Sequence, residues 1–271
     1  MSLFRLAARA ALVAPMLLCA STAQAGIGDL LVAPTRIVLN GSRGTEILLN
    51  NIGEDVATYR ISVELRRMSP DGTLRDVTDP NTAEQTAQSM IVYAPRRVTL
   101  APREPQTIRI AARAPKDLPD GEYRVHLLFR AVPPPQPVQA PRHTKGIGFS
   151  LTPIYGVTIP VIARFGNLEA KAGIASVKLT ELDGKPAINV ELTRSGDRST
   201  FGEIRVLKSG IKDPIASVRG VAIYTEVGDR SITFPIDEQY ASAATGRVTV
   251  QYVESSDNGP KTIAETDAVL N

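Results

Sequence analysis

Hydrophobic and polar residues alternate in short runs along most of this chain, the period-two pattern of half-buried β-strands. Turn residues such as Pro70-Asp71-Gly72 separate the runs, and no stretch carries a convincing helical stripe. The polar stretch Asp79–Ser89 fits a loop or one helical turn. The predicted strands are Leu30–Leu39, Thr45–Asn50, Ala57–Met68, Met90–Ala94, Gln106–Ala112, Gly121–Val132, Ile147–Ala163, Ile174–Leu179, Ala187–Thr193, Gly202–Leu207, Ile215–Tyr224, Ser231–Pro235, Arg247–Tyr252 and Thr262–Ala264.

One of these strands has a longer apolar face than a single domain needs. From Ile147 to Val161 every odd-numbered residue except Pro153 is apolar, and the even positions are mostly small or polar. The run is longer than a typical strand of about 5–6 residues and follows a Pro-rich segment, 133–141. Such a face is either an aggregation hazard or a surface that is given to another protein.

The spacing of the strands predicts an all-β fold of two immunoglobulin-like β-sandwich domains. The boundary is placed at Arg164, which gives an N-terminal domain over 26–164 and a C-terminal domain over 165–271. Residues 1–25 read as a signal peptide, because a basic start precedes the apolar stretch Ala10–Ala20 and the small-x-small site Ala23-Gln24-Ala25. We therefore expect the mature chain to be exported.

Candidate catalytic chemistry is sparse. The single cysteine, Cys19, falls in the predicted signal peptide, and the two histidines, His126 and His143, are far apart, so we expect no disulfide and no metal site. His126 lies on the polar face of its strand and reads as a surface or cleft residue. No nucleophile elbow, phosphate loop or dinucleotide fingerprint is present. We predict a non-enzymatic protein without cofactors or a small-molecule substrate.

Charge argues against a nucleic-acid partner. The formal net charge is only +3, and aromatic residues make up 5% of the chain. Arginine is far more common than lysine in the predicted N-terminal domain, which favours fixed, bidentate carboxylate partners.

Four segments stand out together, in this order along the chain. They are Pro34–Leu39, then Tyr93-Ala94-Pro95 with Leu100-Ala101-Pro102 and Ile108-Arg109-Ile110, then Leu118–Tyr123 leading to Phe129–Pro134, and the long strand ending at Ala163-Arg164. Together they resemble the periplasmic pilus-assembly chaperones, the PapD-like family of the chaperone–usher pathway. The likeness is specific over Leu30–Arg164 and looser beyond it, where Tyr252-Val253 and Asp257-Asn258-Gly259 are similar to a strand and turn of the second domain.

The resemblance implies two immunoglobulin-like domains set at an angle, which bind pilus or fimbrial subunits and deliver them to an outer-membrane usher. A subunit of this kind lacks its own last strand, so its core is open as a groove. The last strand of the chaperone's first domain fills this groove. The residues of this chain that the resemblance assigns to the donor strand are Ile147, Phe149, Leu151, Tyr155 and Val157.

Two charged sites follow from the same resemblance. The family anchors the subunit's C-terminal carboxylate with an arginine, matched by Arg36, and a lysine, where this chain has Pro160. Either Arg124 or Arg130 on the neighbouring strand supplies the second charge, or the anchor is single. The family's interdomain charge cluster is matched by Glu122, Arg164 and Asp257, with Glu254 as an alternative to Asp257.

Other function classes remain open at this point. A fibre component is disfavoured, because subunits are typically single incomplete domains with a free N-terminal extension, and Gly26–Leu30 is too short for one. A stand-alone two-domain periplasmic binding protein for a sugar or peptide would present a concave aromatic site, and the chain has no tryptophan. An enzyme is the least favoured class.

Overall fold

Strands dominate the structure, a computed structural model that describes residues 29–133, 153–256 and 259–271. The all-β prediction is confirmed. The first half of the chain contains β1 (Leu30–Ala33), β2 (Ile37–Asn40), β3 (Thr45–Asn51), β4 (Ala57–Glu64), β5 (Arg66–Met68), β6 (Leu74–Asp76), α1 (Thr82–Met90), β7 (Ile91–Ala94), β8 (Arg97–Leu100), β9 (Pro105–Ala112), β10 (Gly121–Val132) and β11 (Gly156–Phe165).

The second half contains seven strands and one short 3₁₀ helix, Glu238–Ala243. The connection between the halves is short, because β11 ends at Phe165 and the next strand begins at Ala170. The strands are β12 (Ala170–Leu182), β13 (Lys185–Gly196), β14 (Thr200–Leu207), β15 (Ala216–Ile223), β16 (Asp229–Pro235), β17 (Gly246–Ser256) and β18 (Gly259–Leu270).

Two sheets pack face to face in the first half and form the first sandwich. Their strand orders are β1-β3-β9-β7 and β2-β11-β10-β4-β8. In β10 the alternation holds through Val125, Leu127 and Phe129, which are fully buried, while Arg124 and Arg130 take the opposite face. Burying side chains of this size contributes about 1.5–3 kcal/mol each. The core between the sheets includes Ile47, Leu49, Ile108, Val125, Leu127, Phe129 and Val161.

The second sandwich is built from sheets of order β12-β13-β16 and β15-β14-β17-β18. All pairs in these sheets are antiparallel. Its core includes Ile188, Val190, Leu192, Ile204, Val206, Val250 and Tyr252. The predicted fold of two β-sandwiches therefore matches the structure.

The predicted strand Leu30–Leu39 is wrong as a single element. It divides into β1, which pairs with β3 in one sheet, and β2, which pairs in parallel with β11 in the other sheet. The break falls at Pro34, whose ring removes a backbone donor from any ladder. Arg36 therefore stands where the chain crosses between the two sheets, directly before β2.

The polar stretch after residue 79 forms a helix longer than the expected single turn. Asn81 caps α1, and its side chain accepts a hydrogen bond from the backbone N–H of Glu84 at 2.9 Å. The Glu84 carboxylate accepts in return from the Asn81 N–H at 2.8 Å, which completes a capping box. Helix α1 buries Ala87 and Met90 and packs beside β10.

The β5–β6 hairpin extends the first sandwich into the second. The side chain of Met68 is part of the second hydrophobic core, and Leu74 packs against the same core. The Ser231 N–H donates to the Pro70 carbonyl at 2.9 Å, and the Met68 N–H donates to the Glu226 carboxylate at 2.8 Å. The hairpin thus ties the two sandwiches together through both apolar and polar contacts.

Candidate functional site

One edge of β11 is unpaired over half of the strand. The strand pairs with β10 along its full length, but β2 joins its other edge only from Val161 to Arg164. No other strand of the described residues covers the edge of Gly156–Pro160. An open edge of this kind is a template for pairing with another chain.

The hydrogen-bond alternation shows which residues of β11 serve the open edge. The Ala131 N–H donates to the Tyr155 carbonyl at 2.9 Å, and the antiparallel register pairs Arg130 with Gly156. Odd-numbered residues of β11 therefore bond to β10, and the backbone groups of Gly156, Thr158 and Pro160 turn to the open edge. Pro160 is tolerated there because its missing N–H belongs to an unpaired edge.

The apolar face of β11 changes from buried to exposed toward the beginning of the strand. Ile159 and Val161 are buried, whereas Tyr155 is 55% exposed. Val157 is partly buried and packs against the first sandwich's own core, and its place on the donated surface stays a prediction. The remaining donor residues of the sequence prediction, Ile147, Phe149 and Leu151, lie outside the described residues.

A polar cluster lies where the second sandwich covers the outer face of the β2-β11-β10 sheet. Ile37 is opposite Val161, and Val161 is opposite Val125. The next row on the outer face is therefore Arg36, Pro160 and His126, because Pro160 pairs with His126 and Arg36 precedes Ile37. Pro160 lies between the two basic residues.

Arg36 is held by the second sandwich and has no carboxylate partner among the described residues. Its guanidinium carbon lies 4.5 Å from the centre of the Phe201 ring, and its Nη2 donates to Ser199 Oγ at 3.3 Å. Its Nη1 atom is buried without a hydrogen-bond partner. Burial lowers the pKa of Arg36, as expected for a desolvated cation.

The two candidates for a second anchoring base lie in different surroundings. Arg124 forms a bidentate pair with Glu226, at 2.9 and 2.5 Å, and its guanidinium stacks on Tyr224 with 3.6 Å between Cζ and the ring centre. Arg130 is exposed on β10 and pairs in register with Gly156, four positions along the strand from His126. Arg124 is thus already neutralised, and Arg130 lies away from the row that contains Arg36.

Glu122 and Arg164 meet as the sequence predicts, but the link to the second sandwich runs through a serine. Arg164 Nε donates to Glu122 Oε2 at 2.9 Å. Buried Ser199 donates its N–H and its hydroxyl to the same carboxylate oxygen at 3.0 and 2.9 Å. Glu254 pairs with Arg198 instead of Arg164, and Asp257 lies outside the described residues.

His126 is a member of this cluster whose burial the sequence did not reveal. The alternation correctly places it on the outer face of β10, but the second sandwich covers it, and it is only 1% exposed. Its ring meets Tyr224 edge-on at 6.4 Å, and neither ring nitrogen has a partner. Burial, together with the nearby charges of Arg124 and Arg66, lowers the pKa of His126 to about 3.

The low pKa of His126 predicts an acid-sensitive fold. The unfolded chain takes up a proton near pH 6.5, while the folded chain does so only near pH 3. The His126 contribution to stability is therefore complete above pH 6.5 and decreases as the pH falls through this window, by up to about 1.4 kcal/mol per pH unit. Urea unfolding from pH 7 to pH 5 is expected to show a steeper decline for the wild type than for His126→Leu. Equal slopes would contradict the prediction.

Within the described ranges, no group of three or more histidine, cysteine, aspartate or glutamate side chains is arranged to hold a metal ion. No helix in the same ranges has the length and apolar character needed to cross a membrane.

The partners of Arg36 on the second sandwich were also beyond sequence reasoning. Ser199, Phe201 and Tyr224 are remote in sequence from Arg36, and no motif marks them. Only the outward position of Phe201 on β14 is readable, since it alternates with buried Thr200 and Gly202.

Comparisons with known proteins find likeness at the level of structure only. No protein-family model matches the chain, and no curated protein matches it. A class 5 fimbriae chaperone, CfaA, is 13% identical, with 89% of this chain and 99% of that chain covered and a TM-score of 0.45. The match to the Salmonella enterica SafA pilin–SafB chaperone complex has 17% identity, covers 90% of this chain and 98% of that chain, and has a TM-score of 0.45. The match to the Acinetobacter baumannii CsuC–CsuE chaperone–tip adhesion subunit complex has 14% identity, covers 89% of this chain and 97% of that chain, and has a TM-score of 0.44.

Proposed function

We propose that this chain is a periplasmic chaperone that binds pilus or similar surface-fibre subunits by donor-strand complementation and delivers them to an outer-membrane usher. The observation that carries the proposal is the open edge of β11, where an apolar face passes from the chain's own core at Val157 to exposure at Tyr155. A subunit that lacks one strand offers the complementary groove.

Strand addition at this edge combines two favourable contributions. The partner's backbone pairs with the groups of Gly156, Thr158 and Pro160, and its core receives apolar side chains of the donated strand. Each such side chain contributes about 1.5–3 kcal/mol before the cost of ordering is subtracted. Phe149 and Leu151, outside the described residues, remain the proposed donors, with Ile147 and Tyr155 on the same odd-numbered face.

Arg36 supplies the anchor at the end of this edge. A partner strand parallel to β11 along Gly156–Pro160 has its carboxyl end next to Arg36, because β2 occupies the edge from Val161 onward. A buried guanidinium without a carboxylate partner is an incomplete ion pair, and the subunit's C-terminal carboxylate completes it. The anchor is therefore proposed to be single.

Thr158→Pro tests the open edge. The substitution removes an N–H that serves the open edge and leaves the β10 ladder intact, so we expect the affinity for a subunit to fall about tenfold or more. Thr158→Val, which keeps the N–H, is the matched control. The measurement is titration with a purified, denatured pilus subunit, with thermal melts of each variant.

Three outcomes count against the proposal. Unchanged capture by a folded Thr158→Pro variant would show that β11 is not the pairing edge. A melt far below that of Thr158→Val would place the Thr158 N–H in the chain's own fold instead. A gene neighbourhood without an usher or small secreted subunits would remove the proposed partners.

A further inference from the structure

We infer that Phe201 and Tyr224 of the second sandwich are positioning residues that hold the Arg36 guanidinium for a carboxylate, in place of a second basic residue. The inference rests on the proposed function and concerns how its anchor works. It assigns the second sandwich a direct part in recognising the free carboxyl end of the partner.

The contacts of Arg36 involve one part of its guanidinium. Its Cζ lies over the Phe201 ring at 4.5 Å from the ring centre, and Ser199 Oγ accepts from Nη2. Tyr224 lies farther away, at 6.0 Å. The buried Nη1 has no hydrogen-bond partner among the described residues, and a planar guanidinium held at Nη2 and over a ring presents its remaining donors in a defined direction.

The two aromatic residues are themselves held in place. Ser199 and Phe201 both contact Arg36 of the first sandwich, whereas Thr200 between them is buried and accepts from the Tyr252 hydroxyl in the second core. Tyr224 is buried and stacks on Arg124, which Glu226 fixes with two hydrogen bonds. The anchor is thus pre-organised before any ligand binds, which reduces the ordering cost of binding.

Arg164 shares the Ser199 hydroxyl with Arg36, but its charge is already paired with Glu122. Pro160 occupies the adjacent position in the row, and His126, next to it, is uncharged at neutral pH. Arg124 is neutralised by Glu226. The desolvated Arg36 guanidinium then has to bind the carboxylate without a second positive charge. The aromatic ring holds the guanidinium in the orientation that this binding needs.

The test compares two synthetic peptides that carry the C-terminal strand of the pilus subunit. One peptide ends in a free carboxylate, and the other ends in an amide. The ratio of their affinities for the full chain reports recognition of the carboxylate. A variant that merely destabilises the fold weakens the binding of both peptides and leaves the ratio unchanged. We expect Phe201→Leu and Phe201→Met to lower the ratio about tenfold. Phe201→Tyr, which keeps an aromatic face, and Phe234→Leu, in the core of the second sandwich, are expected to keep it. Tyr224→Leu is expected to lower it less than Phe201→Leu, since its ring is more distant.

The outcomes separate the two proposals. If the ratio collapses in Arg36→Ala but stays unchanged in folded Phe201→Leu and Phe201→Met, the positioning role is overturned and the anchor stands. If Arg36→Ala leaves the ratio unchanged, the anchor itself fails. An equal fall in Phe234→Leu would mean that the ratio follows stability, and the positioning role would again be overturned.

Discussion

Replacing Glu122 by alanine is expected to lower the free energy of unfolding by about 3–5 kcal/mol, since removing one partner of a buried pair leaves uncompensated polar groups. The Glu122 side chain is fully buried. One of its oxygens accepts from Arg164, from the Ser199 N–H and from the Ser199 hydroxyl, at 2.9 to 3.0 Å. All of these donors lose their acceptor at once, and Ser199 belongs to the connection between β13 and β14 of the second sandwich.

Chemical denaturation of Glu122→Ala beside Glu46→Ala measures this effect. Glu46 pairs with Arg109 at 3.4 Å, but both side chains are largely exposed, at 61% and 85%. An exposed pair contributes about 0–1 kcal/mol, so the control is expected to stay close to the wild type. A loss in Glu122→Ala no larger than that of Glu46→Ala would show that the buried carboxylate does not hold the sandwiches together.

The period-two pattern was sufficient for most of the strands and for the fold class. Gly121–Val132 was predicted with the bounds that the structure has, because its alternation is long and its ends carry turn residues. Two short strands, β6 and β8, were missed, since three or four residues are too few to show a period. Helix α1 was underestimated because its apolar stripe is weak, although its capping box is visible in the sequence as Asn81 and Glu84.

The site was less predictable than the fold, since it is assembled from both sandwiches. Glu122 and Arg164 could be named from the sequence because they match the charge cluster that the family resemblance implies, and the register of β10 and β11 pairs them. The partner on the other side, Ser199, has no sequence signal that distinguishes it from other serines. Arg124 was named for its charge and position on β10, and its neutralisation by Glu226 depends on how the second sandwich docks.

Ser199 couples the structural pair to the proposed anchor. Its hydroxyl donates to Glu122 and accepts from Arg36 Nη2 and, at 3.4 Å, from Arg164 Nη2. Arg164 is paired with a carboxylate, whereas Arg36 has no carboxylate partner in the part of the chain that the structure describes. We therefore expect a substitution of Arg164 to lower the stability of the chain, and a substitution of Arg36 to lower its affinity for a subunit.

Arg36→Met is expected to lower the affinity for a subunit about a hundredfold while leaving the free chain as stable as before or more stable. Truncating one partner of a desolvated charge pair costs about 2–5 kcal/mol of binding free energy, and methionine keeps the apolar stem of the side chain. In the free chain Arg36 is a desolvated cation without a carboxylate, so its removal relieves a cost of burial. Calorimetric titration with the purified subunit and denaturation of the free chain measure the two effects, with exposed Arg130→Met as the control that changes neither. A variant that loses stability and binds the subunit as the wild type does would contradict both expectations and show that Arg36 stabilises the fold.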